Sequence, residues 1–321
     1  MRLLVTGGAG YIGSVVAAQL AAAGHDCVVL DDLSTGHADA VPAAAAFVRG
    51  DIKYQAADAL ADGTDAVLHF AGKSLVGESV SKPDRYWGTN LGGTLALIEA
   101  MRGAGVHRIV FSSTAAVYGE PAAVPIPETA LTLPTSPYGA SKLAVDMALA
   151  EYARMNHLGA VSLRYFNVAG AHADPEAGWL GERHVTETHL IPNVLKVAAA
   201  SQGHVSIFGE DYPTPDGTCV RDYIHVSDLA EAHLLALQAC TPGQHKIYNL
   251  GSGTGYSNRE VLTTCREVTG LDIPATVTDR RPGDPAVLVA SSERIGTDLG
   301  WHPKRDLHAM ITDAWHCLAT G

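Results

Sequence analysis

The sequence predicts an α/β protein built on a doubly wound parallel sheet, joined to a second, smaller α+β lobe. Three observations carry this prediction. An apolar run at 3–6 enters a glycine-rich turn at 7–13 and leaves as an alanine-rich, helix-favouring stretch at 14–23 that Gly24 stops. Short uninterrupted apolar runs then alternate with helical stretches, the pattern of parallel strands covered on both faces. Beyond about residue 170 the texture changes to loops rich in Gly, Pro, Asp and His.

The first unit reads as strand, tight turn, helix and second strand, the last at 27–30 with Asp31 at its end. Gly7, Gly10 and Gly13 let the backbone approach a pyrophosphate, whose charge sits on the free amides of Tyr11, Ile12 and their neighbours at the helix start. Asp31, about 20 residues beyond the turn, is placed to accept from ribose hydroxyls and to repel a 2′-phosphate, which favours NAD over NADP. This is the dinucleotide-binding, Rossmann-type arrangement in full context. Further apolar runs at 66–70, 108–111 and 161–165 alternate with helical stretches at 90–102 and 138–156, so the dinucleotide-binding domain spans 1–170. The smaller lobe spans 171–321, and a strong helical pattern at 228–239 marks 220–245 as packing back on the first lobe.

Composition bounds the partners. Of 321 residues, 22 are Lys or Arg and 34 Asp or Glu, a net charge of −12, which argues against nucleic acid or an anionic membrane as partner. An anionic ligand must then be held by backbone amides or a few placed cations. Apolar residues make up 47% and charged ones 17%, enough for a sizeable core. The five cysteines at 27, 219, 240, 265 and 317 form no CxxC unit, and the start of the chain lacks a signal-peptide layout, so a reducing cytoplasm is expected. None of the fifteen histidines sits in an HExxH or similar pattern, and no metal is expected.

Tyr138 and Lys142 stand one helical turn apart, on one helix face. An ammonium beside a phenol favours phenolate, making Tyr138 a usable general base near neutral pH. The strand at 108–111 runs on into Ser112, Ser113 and Thr114, a hydroxyl cluster at its carboxyl end that faces the cofactor cleft and can bind a substrate hydroxyl.

With TGGAGYIG at 6–13, Asp31, Asn90, SSTAAVYG at 112–119 and YGASK at 138–142, the chain resembles the extended short-chain dehydrogenase/reductase family. HFAGKSLVGESV at 69–80, RYFNVAGAH at 164–172, LIP at 190–192, the long block at 207–233, YNLGSGTGYS at 248–257 and RRPGD at 280–284 are similar to the UDP-glucose 4-epimerase family within it. The resemblance covers nearly the whole chain. It implies a tightly bound NAD regenerated in every cycle, reversible 4-epimerisation of UDP-glucose and UDP-galactose through a 4-keto sugar, and a homodimer built on helices around 92–102 and 140–156.

The same resemblance assigns roles. Thr114 binds the sugar O4, and Lys142 holds the nicotinamide ribose and lowers the Tyr138 pKa. Asp51 and Ile52 contact adenine, Phe70, Ala71 and Gly72 line the cofactor, and Asn90 supports it from the sheet. Asp32, Ser34, Thr35, Gly36, Lys73, Ser112 and Tyr165 complete the cofactor contacts, with Lys73 next to Ser74, where one subgroup carries its lysine. Arg221 and Arg281 match the UDP-phosphate ligands, and guanidinium suits that task by its bidentate fork. Asn167, Leu190, Phe208, Tyr223 and Asp284 match residues around uracil, ribose and diphosphate. Leu288 stands where hexose-restricted members carry tyrosine, which widens the sugar pocket toward N-acetylhexosamines. Ala115 and Ala116 after Thr114 remove the acid pair a 4,6-dehydratase needs. A 4-epimerase of a uronic acid or pentose nucleotide, and a non-catalytic NAD sensor, remain as alternatives.

Overall fold

The computed structural model describes residues 1–60, 63–200, 202–281 and 284–320. The first stretch carries β1 (Arg2–Thr6), α1 (Tyr11–Ala22), β2 (Asp26–Asp31), β3 (Ala46–Arg49), α2 (Ile52–Ala59), β4 (Ala66–His69), α3 (Val76–Ser81), α4 (Pro83–Tyr86), α5 (Gly93–Gly103), β5 (Arg108–Thr114), α6 (Pro137–Asn156) and β6 (Gly159–Tyr165). After it come β7 (Asn167–Ala169), β8 (His172–Asp174), β9 (Gly178–Leu180), α7 (Leu190–Ala200), β10 (Val205–Phe208), β11 (Val220–His225), α8 (Val226–Ala239) and β12 (His245–Leu250). The chain ends with β13 (Gly255–Ser257), α9 (Asn258–Thr269), β14 (Ala275–Thr278), β15 (Val287–Leu288), α10 (Glu293–Leu299) and α11 (Leu307–Thr320).

The central sheet has seven parallel strands in the order β12-β6-β5-β4-β1-β2-β3. Strand order reverses between β1 and β4, and the crevice at their carboxyl ends is the place where such sheets bind ligands. β1, β4 and most of β5 are buried on both faces, as their unbroken apolar runs require. One face is covered by α1 and α8, whose Val15, Val16 and Leu20 share a core with Leu229, Ala230 and Leu237. The other is covered by α2, α5 and α6, with Ile52, Leu97, Met101, Val145 and Leu149 inside.

The dinucleotide-binding sheet is not confined to 1–170, since its edge strand β12 comes from 245–250 and pairs with β6 over its whole length. Helix α1 begins at Tyr11, not at 14, because Gly10 is an extended N-cap and the glycine turn feeds directly into the first helical residue.

The second lobe holds a small sheet in which β11 pairs with β13, β15 and β7, beside the pair β10–β14. Its own core gathers Ile191, Leu195, Tyr223, Leu262, Cys265 and Met310. Beneath α6 lies a buried ion pair. Arg164 on β6 donates through Nε (3.0 Å) and a terminal nitrogen (2.9 Å) to Asp146 on α6, the two side chains being 4% and 3% exposed. Arg164 also donates to the Tyr118 hydroxyl at 3.0 Å, which donates in turn to Asn249 at 2.7 Å. Hydrogen-bonded in this way the pair is tolerable; either charge alone would not be.

Candidate active site

The turn 7–13 can be built only from glycine at its two critical points. Gly7 has φ +70, and a Cβ there would lie 2.5 Å from the Ala71 nitrogen; a Cβ on Gly13 would strike the Gly7 carbonyl. The first turn of α1 has neither a capping side chain nor an acidic residue, which leaves its amides and positive dipole end to an anion. Asp31 steadies the turn by accepting from the Ala9 amide (3.0 Å) and the Leu33 amide (2.8 Å), one bond per carboxylate oxygen. Each oxygen keeps a lone pair for a ribose hydroxyl. Burial raises the Asp31 pKa above the usual carboxylate value, against the pull of those two amides. Asp32 accepts from the Ser34 amide at 2.8 Å, and the 34–36 loop packs on Ala9, where His37 N donates to Ala9 O at 2.8 Å. These features fit a dinucleotide lacking a 2′-phosphate.

Tyr138 and Lys142 lie in the first two turns of α6, which Ser136 caps by accepting from the Gly139 amide at 3.2 Å. Burial pushes the Tyr138 phenol up, while a hydrogen bond from the Thr114 hydroxyl pulls it down. Tyr86 packs edge-on against the Tyr138 ring with centroids 6.4 Å apart. In the ligand-free protein the Lys142 ammonium is directed away from the Tyr138 phenol. The Lys142 ammonium donates to the Ser112 carbonyl at 2.8 Å and lies 4.8 Å over the Phe111 ring, both on β5. Burial brings Lys142 itself down to about 8, partly opposed by Asp146. The Ser112 hydroxyl bonds the Tyr165 hydroxyl, so these two close the floor of the cleft together.

Asn90 does not support the cofactor from the sheet: it lies in a π-helical turn, Trp87–Gly92, that leads into α5. Its Oδ1 accepts from Lys73 N (2.7 Å), and its Nδ2 donates to Lys73 O (3.1 Å) and Ser141 Oγ (3.0 Å). It thereby ties the 70–73 loop, with Phe70, Ala71, Gly72 and Lys73, to the catalytic helix. Phe70 stacks on His233 at 4.8 Å. Asp51 caps α2 by accepting from Lys53 N at 2.9 Å, and Ile52 is buried beside Gly93.

The small sheet brings Asn167, Arg221, Tyr223 and Leu288 together, because β11 pairs Tyr223 with Asn167 and Arg221 with Leu288. Asn167 donates to Asp222 O at 3.0 Å. Arg221 is bonded to Asp284 at 2.6 Å and to Val220 O at 2.8 Å. Arg281 is exposed and lies 3.8 Å over the Phe208 ring, at the end of β10. Leu190 opens α7 and packs against the second-lobe core, while Leu288 packs against the cluster of Val117, Tyr118 and Phe166. Pro282 and Gly283 of the RRPGD block lie outside the described residues.

Two groups escaped the sequence reading. His69, buried at the end of β4, links Thr6 (2.6 Å) to Thr94 (2.8 Å). Its only signal was a polar residue closing an apolar strand. The second is a cluster of Glu182, His184, Glu187 and His189, whose ligand atoms all lie within 4.8 Å of one another. Its ExHxxExH spacing matches none of the familiar metal motifs.

A glycine-turn βαβ unit whose Tyr-x-x-x-Lys helix faces a strand-end hydroxyl defines a nucleotide-dependent enzyme of the short-chain dehydrogenase/reductase type. The chain belongs to the NAD dependent epimerase/dehydratase family, whose model matches residues 3–251. It is 56% identical over 322 residues to a UDP-glucose 4-epimerase of Streptomyces lividans and 54% identical over 317 residues to one of Corynebacterium glutamicum, covering 98% of this chain and 95% of the relative in both cases. A UDP-glucose-4-epimerase of Stenotrophomonas maltophila, solved with bound NAD and formylated UDP-arabinopyranose, superposes with a TM-score of 0.93 at 41% identity, covering 99% of this chain and 98% of the other.

Two histidines beside the cofactor cleft give a pH dependence. Burial brings His69 down to about 3 and His233 to about 4, from an ordinary 6.5. The unfolded chain takes up these protons below about pH 6.5 while the fold stays neutral there. The stability these two histidines supply is therefore complete above that value and falls as pH drops toward 4, by about 1.4 kcal/mol per pH unit for each. Urea midpoints at pH 7.5 and 5.0 check this: the midpoint falls at pH 5.0, and less so in His233→Gln. An unchanged midpoint contradicts it.

Proposed function

We propose that the protein interconverts UDP-glucose and UDP-galactose by oxidation and re-reduction at the sugar C4. One observation carries the reading: α6 lies against the carboxyl end of β5, its Lys142 ammonium on the Ser112 carbonyl at 2.8 Å, with Tyr138 one turn earlier on that helix and Thr114 closing that strand. When bound, NAD would supply the hydride acceptor for the sugar C4 and the donor that restores it on the opposite face. Tyr138, as the phenolate, takes the O4 proton and becomes the phenol, while the Thr114 hydroxyl hydrogen-bonds O4 and orients it. The 4-keto sugar turns about its diphosphate link and presents its other face, after which Tyr138 returns the proton to O4. With a pKa near 8, Lys142 is mostly protonated at neutral pH, so its ammonium can stabilise the phenolate once it turns from Ser112 toward the cofactor ribose.

The first-turn amides of α1 would hold the pyrophosphate of NAD, and Asp31 its adenosine ribose. Ser34, Thr35, Gly36, Asp51 and Ile52 line the adenosine end; Ser112, Tyr165 and the 70–73 loop line the nicotinamide end. Arg221 and Arg281 hold the UDP diphosphate, with Phe208, Tyr223, Asn167, Leu190 and Asp284 around the nucleoside. Arg221 reaches the phosphate by sharing its fork between Asp284 and the ligand. With no bulky ring at Leu288, the pocket also takes the 2-acetamido group of an N-acetylhexosamine. The protein works in the cytoplasm, in keeping with five cysteines that are all unpaired; among the described residues no helix is long and apolar enough to cross a membrane.

Turnover without added NAD, over a panel of UDP-glucose, UDP-galactose, their N-acetyl forms and UDP-glucuronate, tests the reading. Both plain hexoses are converted, and UDP-N-acetylglucosamine within about 100-fold of them, about 2.7 kcal/mol of barrier. Tyr138→Phe loses at least about 100-fold in kcat while keeping its NAD, and Leu288→Tyr loses the N-acetyl activity first. Full activity of Tyr138→Phe, or turnover of none of the panel, rejects the proposal.

A homodimer through α5 and α6 completes the reading. Leu95, Met147 and Met155 stand 37%, 65% and 64% exposed on the outer faces of these helices, an apolar stripe that a second copy would cover. Light scattering at micromolar concentration gives twice the chain mass, and Met147→Glu with Met155→Glu gives the monomer. A monomeric parent chain contradicts this.

A further inference from the structure

The segment between β9 and α7 carries four metal-ligand side chains that no step of the proposed reaction uses: Glu182, His184, Glu187 and His189. They come from one short loop, yet their side chains converge. His184 Nδ1 lies 3.0 Å from Glu182 Oε1 and 3.8 Å from Glu187 Oε2, and His189 Nδ1 is hydrogen-bonded to Glu182 Oε1 at 2.5 Å and lies 3.3 Å from Glu187 Oε1. Four ligands at the vertices of a tetrahedron around zinc, each about 2.0–2.2 Å from the ion, sit about 3.3 Å apart, and the observed spacings bracket that value.

The hydrogen bonding independently points to a ligand. His184 Nδ1 is buried and has no hydrogen-bond partner despite the nearby carboxylates, and Glu187 Oε2 is equally buried and unpartnered. The Glu187 side chain is only 3% exposed and that of Glu182 6%. An imidazole nitrogen and a carboxylate oxygen that face one point without bonding each other have the geometry of two lone pairs aimed at a common ion. Left unmade, such groups are costly inside a protein. The other Glu187 oxygen is already fixed by the amides of Thr188 (2.7 Å) and His189 (2.8 Å), as an outer shell fixes a ligating carboxylate.

The geometry points to a site for a divalent first-row transition metal, zinc fitting best, bound by Glu182, His184, Glu187 and His189. Two imidazoles and two carboxylates suit zinc by donor type and cancel its charge. The site has a structural task. Its loop reaches across to the first lobe, where Arg183 pairs with Asp39 through two bonds of 2.9 Å and the Arg183 carbonyl meets His37 Nε2 at 3.0 Å. Arg183 and His184 share a small cleft with Gly10, Tyr11 and Thr35, at the mouth of the dinucleotide turn. An ion there fixes the loop as a clasp over that turn, and this holds whichever sugar the enzyme takes.

The experiment uses the full-length protein with its cofactor, purified without metal-affinity resin, dialysed against EDTA and then titrated with zinc and, separately, cobalt(II). One ion binds per chain by elemental analysis, cobalt gives the visible absorption of a four-coordinate ion, and the thermal midpoint rises with free zinc. His184→Ala and His189→Ala lose the stoichiometric ion, and Glu187→Gln weakens binding at least about tenfold. Arg183→Ala, which cuts the tie to Asp39 but removes no ligand, keeps the metal and serves if the histidine variants fold poorly. Absence of stoichiometric binding overturns the inference, because the cluster is then a set of imidazolium–carboxylate pairs. So does undiminished binding in Glu187→Gln, because the ion is then held elsewhere.

Discussion

Asn90 is 2% exposed, and its carboxamide serves both sides of the active site: oxygen and nitrogen clasp the Lys73 backbone, and the nitrogen also reaches Ser141 in the catalytic helix. The network runs on from there. Thr94 Oγ1 donates to the Asn90 carbonyl at 2.5 Å, so it accepts from His69 Nε2–H, which leaves His69 Nδ1 to accept from Thr6. One chain of bonds thus joins the carboxyl ends of β1 and β4 to α5, the 70–73 loop and α6. The cofactor loop and the Tyr138–Lys142 pair cannot move independently, and a buried network satisfied throughout sets their distance to within the tolerance that hydride and proton transfer require.

Charge is handled by local arrangement, not by composition. A protein of net charge −12 leaves the first-turn amides of α1 without a capping side chain, pairs Arg221 with Asp284 and lays Arg281 over the Phe208 ring. One buried pair, Asp146 and Arg164, cancels its charge beneath α6. Burial drives the two catalytic groups toward neutrality, with Tyr138 up and Lys142 down to about 8. A phenol and an amine in that condition respond strongly to any cation or anion bound beside them. In the free protein the Tyr138 phenol is therefore neutral and Lys142 still largely an ammonium at neutral pH, and ligand binding completes the acid–base pair.

Local signals made much of this legible in the sequence. The glycines, Asp31 and the strand-end Thr114 could be read because each is dictated by the backbone next to it, as the φ of Gly7 and the amide bonds of Asp31 illustrate. Membership of β12 in the main sheet was not legible, since the pairing of 245–250 with β6 spans about eighty residues and leaves only an ordinary apolar run behind. Asn90 and His69 could be seen as residues but not as a hub, because their partners come from four separate elements. Lys142 shows the limit of spacing arguments: one turn from Tyr138 puts both on one face, yet a nearer carbonyl at Ser112 takes the ammonium. The cluster at 182–189 was hidden for the opposite reason, its loop folding four close residues onto one point at a spacing that no common motif shares.

The central claim is that hydride leaves and returns to the same carbon within one site that keeps its cofactor. UDP-galactose deuterated at C4, turned over in ordinary water by protein given no added NAD, tests it most directly. The account predicts UDP-glucose carrying the deuterium at C4 in full. Deuterium lost to solvent, or turnover that depends on NAD supplied in each cycle, would contradict it.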